Sequence, residues 1–94
     1  MVASSIQWVR DSYVSYSHEN KNVCEVKKLL VNMNLDYTMY YADGSWKGQP
    51  EDSLMIELAD ASEDVAEAVA RLIKHANFQQ AVLLQEIPVM SRLI

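Results

Sequence analysis

Apolar residues recur every three or four positions in two segments of the chain, which is the spacing of an amphipathic helix. The first segment, residues 22–33, begins with Asn22 and Glu25 in the arrangement of an N-cap and a capping box. Its apolar positions are Val23, Val26, Leu30 and Met33. The second segment, residues 62–78, begins with Ser62 as its expected N-cap. Its apolar positions are Val65, Val69, Leu72 and Ala76.

Four short segments rich in β-branched and aromatic residues predict strands. They are residues 9–16, 36–42, 53–59 and 80–87. In chain order the elements read strand, helix, strand, strand, helix, strand, which is a split βαβ pattern. This pattern predicts an α+β protein with a ferredoxin-like sandwich, in which four antiparallel strands carry two helices on one face. We expect residues 1–94 to form a single domain.

The connection between the second and third predicted strands is unusually long. Residues 43–52 contain both glycines of the chain, one of its two prolines and one of its two tryptophans. A hairpin connection normally has two to five residues, and longer loops often carry function. One interpretation is a solvent-facing loop with Trp46 folded onto the sheet. The interpretation we favour is a loop that covers a ligand or bridges two subunits.

Composition and charge exclude several functional classes. The chain has 94 residues, with 8 Lys and Arg against 13 Asp and Glu, and its net charge of -5 argues against a nucleic-acid binder or a polybasic membrane anchor. Neither a signal peptide nor a long uncharged apolar segment is evident, so we expect no membrane partner and a cytoplasmic location. The single cysteine, Cys24, excludes an intrachain disulfide and is expected to be a small buried or half-buried residue.

The inventory of catalytic motifs is short. His18 and His75 lie far apart, and no His or Cys pair has metal-ligand spacing, so no metal and no cofactor are expected. What remains is an aromatic and acidic group on the second strand and the segment after it. Its members are Tyr37, Tyr40, Tyr41, Trp46 and Glu51. Aromatic faces beside a carboxylate suit a cationic organic ligand.

Three features of the second half of the chain resemble the S-adenosylmethionine lyases of bacteriophages, long described as hydrolases and used against host restriction. Glu51 comes immediately before the third predicted strand. The second helix ends in Val-Ala-Arg-Leu, from Val69 to Leu72. Gln79 stands just before the last strand, seven residues after Leu72. By pattern, the resemblance covers roughly residues 29–86.

The resemblance implies a PII-like homotrimer with ligand sites between neighbouring subunits, acting in the cytoplasm of an infected bacterial host. It implies cleavage of S-adenosylmethionine to methylthioadenosine and homoserine lactone without an added cofactor. Glu51 would be the essential carboxylate and Tyr40 its partner. The implied substrate-binding residues are Tyr41, Trp46, Gln79 and Gln80.

This reaction needs little from the protein, because the sulfonium is already a good leaving group. The substrate carboxylate can attack its own γ-carbon, so the protein has mainly to hold a near-attack conformer and exclude water. Glu51 would anchor the substrate ammonium. A general-base role for Glu51 stays open but is less favoured, since it would require a raised pKa.

The tail, residues 87–94, is apolar and contains Pro88, which should interrupt regular strand pairing. It either frays or covers a neighbouring subunit, and Trp8 near the other end could do the same. Two alternatives to a lyase remain. One is a non-catalytic PII-like or ACT-like module that binds a small metabolite, although Lys47 is the only basic residue of the 43–52 segment. The other is a phage antidefence interaction protein without a small-molecule site.

Overall fold

The computed structural model describes residues 2–9, 16–76, 82–90 and 92–94. Its elements follow the predicted order and form an α+β protein with two helices and an antiparallel sheet, as the sequence pattern predicts. They are β1 (Val2–Val9), α1 (Tyr16–Asn32), β2 (Tyr37–Trp46), β3 (Gln49–Ala59), α2 (Glu63–Ala76) and β4 (Leu83–Pro88).

The sheet of the described residues has the strand order β2-β3-β1-β4. All neighbouring strands pair antiparallel, so β3 separates β1 from β2 in the split βαβ arrangement. The register places Ile56 of β3 between Ile6 of β1 and Met39 of β2. The two edge strands are therefore β2 and β4.

One face of the sheet is covered by both helices. Alternation along β1 and β3 brings Ile6, Trp8, Leu54, Ile56 and Leu58 to this face, where each is almost fully buried. Both helices add side chains to the same core cluster. Their contributions are Val23, Val26 and Leu30 from α1, and Ala66, Val69, Ala70 and Ile73 from α2.

The other face, which we call the open face, has no helix from the described residues packed on it. Register and alternation place on it the side chains of Ser5, Gln7, Tyr40, Met55, Glu57, Leu83 and Ile87. Near its centre, the amide of Gln7 donates a 3.0 Å hydrogen bond to the hydroxyl of Ser53.

Local hydrogen bonds fix the helix ends that lead into the sheet. The backbone N–H of Leu35 bonds the carbonyl of Leu30, and that of Asn34 bonds Val31, both at 3.0 Å. With Asn34 at φ 56°, these bonds form a Schellman motif at the end of α1. At the start of α2, the predicted N-cap is confirmed, because the Ser62 hydroxyl accepts a 3.3 Å bond from the N–H of Val65.

The predicted start of the first helix is wrong. α1 begins at Tyr16, six residues before Asn22, so Asn22 is a buried residue inside the helix and not its cap. The expected burial of Cys24 is also wrong, since its side chain is exposed. On α2 the buried stripe runs through Ala66 and Ile73 and leaves Leu72 exposed, because small alanines complete the apolar face.

The first predicted strand is misplaced. β1 spans Val2–Val9, whereas the prediction was residues 9–16; of these, residues 10–15 lie outside the described part and Tyr16 begins α1. The buried Ser4 and Ser5 explain the error, because serine gives no strand signal in the sequence. Trp8 is 2% exposed in the core, so it does not cover a neighbouring subunit.

The long loop predicted at residues 43–52 is also wrong. β2 continues to Trp46 and β3 starts at Gln49, so the connection is the two-residue turn Lys47–Gly48. Both turn residues have positive φ, 50° and 78°, as a type I′ hairpin requires. A Cβ at Gly48 would meet nothing within 4 Å, so the backbone conformation and not space favours glycine there.

Residues 43–52 instead form an arm that extends past the other strands of the described sheet. β1 pairs with β3 only as far as Ser53, opposite Val9. We call residues 43–52 the hairpin arm. Pro50 lies in this arm, beyond the last pair with β1, and so its missing N–H removes no bond to β1.

Candidate functional site

A pocket lies where the hairpin arm joins the sheet. It has a volume of about 220 Å³ and is lined by Tyr41, Ala42, Asp43, Asp52 and Ser53. We call it the hairpin pocket. The pairing of β2 with β3 builds it, since Asp43 stands opposite Asp52 and Ala42 opposite Ser53.

The hairpin pocket has an acidic wall. Asp43 and Asp52 are both exposed, and directly opposed residues of an antiparallel pair have Cβ atoms roughly 5 Å apart. Two carboxylates at this spacing repel each other and weaken the hairpin. A bound cation would remove that repulsion, because it would attract both carboxylates.

Tyr41 adds an aromatic surface to the same pocket. Its side chain is 61% exposed, on the strand position next to Asp43 on the same face. A ring face attracts organic cations through its quadrupole, and the attraction adds to the ion pair with a carboxylate. The pocket therefore combines two features that suit an organic cation.

Tyr40 lies on the open face, opposite Met55 in the register. Its hydroxyl donates a 2.8 Å hydrogen bond to Oε1 of Glu57. This bond, with smaller contributions from desolvation and from the negative charge of Glu57, raises the pKa of Tyr40 above its ordinary value. Tyr40 is therefore a neutral hydrogen-bonding residue with a partly exposed ring, and its proton is held by Glu57.

The structure separates some of the predicted site residues. Tyr41 lines the hairpin pocket, whereas Tyr40 lies on the opposite face of the sheet. Glu51 pairs with Gly44, four positions along β3 from the Met55 that opposes Tyr40. At about 3.3 Å per residue, this separates the backbones by about 13 Å along the strand. Within one chain, the carboxylate in contact with Tyr40 is that of Glu57.

The structure does not describe the side chains of the remaining predicted site residues. For Trp46 and Glu51 the backbone is described but the side chain is not, and Gln79 and Gln80 are outside it altogether. Their predicted roles therefore stay predictions.

Sequence reasoning missed Asp43 and Asp52 as a pair, and it missed Glu57 as the partner of Tyr40. The acidic residues at positions 43 and 52 are placed symmetrically about Lys47–Gly48. That symmetry would have revealed their opposition if the turn had been recognised. The Tyr40–Glu57 contact follows from the same register, because Glu57 lies two positions along β3 from Met55.

Within residues 2–9, 16–76, 82–90 and 92–94, no three His, Cys, Asp or Glu side chains gather in a way that could hold a metal ion. In the same part of the chain, no helix has both the length and the apolar character needed to cross a bilayer.

Comparisons with known proteins find similarity in fold but no significant similarity in sequence. No protein-family model matches the sequence, and no curated protein is significantly similar to it. Among solved structures, a phage S-adenosylmethionine lyase in its apo state matches with a TM-score of 0.56 and 11% identity, over 92% of this chain and 78% of that one.

Two other solved structures match about equally well. LarC2, the C-terminal domain of a cyclometallase involved in synthesis of the NPN cofactor of lactate racemase, has a TM-score of 0.59 and 14% identity, over 93% of this chain and 55% of that one. The de novo designed protein Foldit4 has a TM-score of 0.54 and 17% identity, over 95% and 98%.

These matches share a fold and not a function. A phage lyase, a cyclometallase domain and a designed protein have similar shapes at identities of 17% or less. Shape therefore does not choose between activities, and a function must be argued from the site. The chain shares its fold with a phage S-adenosylmethionine lyase, and the hairpin pocket is its candidate functional site.

Proposed function

We propose that the protein is an S-adenosylmethionine lyase that forms methylthioadenosine and L-homoserine lactone, in phage counter-defence against restriction. The observation that carries the proposal is the hairpin pocket, in which Asp43 and Asp52 face each other beside the exposed ring of Tyr41. S-adenosylmethionine carries a sulfonium and an ammonium, which this acidic and aromatic surface suits. The sequence resemblance around Glu51 supports the same activity, and the shared fold is compatible with it.

The proposed lactone formation follows from where the charged groups of the substrate would bind. The acidic wall and the ring of Tyr41 attract the sulfonium, whereas the ammonium is anchored by Glu51. The same wall repels the substrate carboxylate, which turns toward its own γ-carbon. Its oxygen forms the C–O bond of the five-membered lactone as the C–S bond breaks, and methylthioadenosine leaves with the electron pair. No water and no external proton enter this step, so positioning supplies most of the rate.

The other predicted residues complete the proposed site. Glu51 lies on the hairpin arm beyond Asp52, and we assign it the role of anchoring the ammonium. Tyr40 lies on the opposite face within one chain, so in a site between subunits it is the Tyr40 of a neighbouring copy that would support the substrate amine through its ring, since its hydroxyl already bonds Glu57. Trp46 at the end of β2, and Gln79 or Gln80 ahead of β4, are assigned to substrate binding.

A neighbouring subunit would enclose this site. The hairpin arm extends past β1, so one side of the pocket has no neighbouring strand of the described sheet. In a homotrimer with sites between subunits, a second copy covers that side and excludes water. The proposed assembly also covers part of the open face, where Tyr40 lies.

The proposal is tested by incubating the protein with S-adenosylmethionine and separating the adenosine-containing products by chromatography. We expect methylthioadenosine above the spontaneous rate, together with homoserine lactone. Homoserine as the first product would indicate hydrolysis. Calorimetric binding of S-adenosylmethionine without any product would replace the lyase by a metabolite-binding module.

Site variants locate the activity. Glu51→Gln should abolish turnover and leave the assembly intact. The matched control is Glu25→Gln, an identical chemical change at an exposed position of α1. Full activity in Glu51→Gln would overturn the role assigned to Glu51, and loss of activity in both variants would point to a general charge effect.

A further inference from the structure

The part of the tail that follows β4 leaves its apolar side chains in water. Met90, Leu93 and Ile94 have relative exposures of 102%, 105% and 110%, which is the exposure of an extended chain. Several large apolar side chains that are fully exposed in one short segment favour an interaction site there.

Beside β4 lies a groove that fits such a segment. It has a volume of about 250 Å³, and we call it the α2–β4 groove. Its lining residues are Glu67, Ala70, Arg71, Lys74, Val82 and Leu84. Apolar side chains form its floor. On its rim, Arg71 is held by a 2.7 Å ion pair with Glu67.

The outer edge of β4 can pair with a further strand. β4 is an edge strand, so the backbone groups on its outer side have no partner strand in the described sheet. Leu83 and Ile87 are exposed on the open face, and the half-buried Leu84 lines the groove. A strand added beside β4 would therefore meet apolar side chains on both sides. Alternation along an extended tail puts Val89 and Leu93 on one side and Met90 and Ile94 on the other.

The tail of the same chain does not occupy this groove. Met90, Leu93 and Ile94 are as exposed as in an extended chain, so none of them is covered by the groove of its own copy. To enter that groove, the chain would have to reverse direction directly after Pro88, because β4 forms one wall of the groove.

We propose that residues 89–94 of one copy lie in the α2–β4 groove of a second copy, as an extended segment along the edge of β4. This inference rests on the proposed homotrimer and names the contact that closes it. Each copy donates one tail and receives one, which is a heterologous contact, and such contacts close into a ring of three when successive copies are related by a rotation of a third of a turn. The groove and the hairpin pocket use different residues, so the two can be tested separately.

The first test is the oligomeric state by light scattering and sedimentation at micromolar concentration. The double variant Met90→Ser with Leu93→Ser should raise the dissociation constant at least about hundredfold, because burial of each such side chain is worth about tenfold or more. The matched control is Val31→Ser, which removes an apolar side chain that is 61% exposed on α1. Unchanged assembly in the double variant, with circular dichroism showing that it is folded, would overturn the proposal.

The second test locates the contact by crosslinking, in a Cys24→Ser background. One tagged chain carries Leu93→Cys and a differently tagged chain carries Lys74→Cys, and the two are mixed and treated with a short bismaleimide. We expect a product that carries both tags. Replacing Lys74→Cys by Val31→Cys should give none, and equal yields from the two pairs would overturn the proposal.

Neither test requires a substrate. A crosslinked assembly that leaves S-adenosylmethionine intact would refute the proposed activity and support the tail contact. An active protein whose assembly survives the double variant would support the proposed activity and refute the tail contact.

Discussion

Replacing Asp43 by Asn should stabilise the hairpin and weaken cation binding at the same time. In the folded protein, Asp43 stands directly opposite Asp52 at the hairpin pocket. The substitution removes one of two like charges and nearly preserves shape, so the repulsion is lost and the packing is kept. A purely structural role for this pair predicts the gain in stability alone.

The size of both effects follows from Coulomb's law. Two unit charges about 5 Å apart in water repel by roughly 0.8 kcal/mol. Physiological salt screens about half of this at that distance, which leaves about 0.5 kcal/mol. For a domain of this size, such a change raises the Tm by about 2 to 4 °C. A ligand cation at a similar distance loses about 1 kcal/mol of attraction in the less solvated pocket, or about fivefold in affinity.

Thermal unfolding by circular dichroism and titration calorimetry with S-adenosylmethionine measure the two effects. The matched control is Asp36→Asn, which changes the net charge equally at an exposed residue outside the pocket. A lower Tm for Asp43→Asn would mean that the two carboxylates do not repel each other in the native state. Unchanged affinity would place the ligand cation elsewhere, even if the protein is a lyase.

Three further predictions concern the frame around the site. Ile56→Ala should lower the free energy of unfolding by about 2 to 5 kcal/mol in denaturant titrations, since Ile56 is fully buried between two strands, and a loss below 1 kcal/mol would contradict that burial. Gly48→Ala should destabilise the hairpin arm by about 1 kcal/mol in amide exchange, because φ is 78°; unchanged protection would exclude the type I′ turn. The raised pKa of Tyr40 favours the folded state below the pH at which free tyrosine ionises, and this contribution is lost as the pH rises through the folded value. Ultraviolet titration should therefore show a late-ionising tyrosine that Tyr40→Phe removes and Glu57→Gln moves to lower pH; a late component that persists in Tyr40→Phe would assign it to another tyrosine.

Much of the fold could be predicted because the signals are local. Ser62 caps α2 and Val69 lies on its buried face, as the sequence pattern indicates. Predictions failed where a small residue stands in for a larger apolar one. Ser4 and Ser5 concealed β1, and Ala66 and Ala70 shifted the buried face of α2 away from Leu72.

The candidate site was harder to predict, because it depends on pairing over distance. Tyr41 could be singled out from the sequence as an aromatic residue suited to a cation. Asp43 and Asp52, its neighbours in the pocket, could not be singled out, because residues 43–52 contain glycine and proline and predict a loop. Ten register pairs between β2 and β3 outweigh that local tendency and extend both strands to the turn.

The sequence by itself determined the order of the elements, the capping of α2 and the overall acidity, since each depends on residues close together in the chain or on composition alone. Only the tertiary structure decided which distant residues meet. The opposition of Asp43 and Asp52, the bond from Tyr40 to Glu57 and the exposure of Leu83 all depend on strand register and on which faces the helices cover. The physical reason is the period of two along a strand: a shift of one residue exchanges the two faces, and only the complete set of cross-strand and core contacts fixes that register.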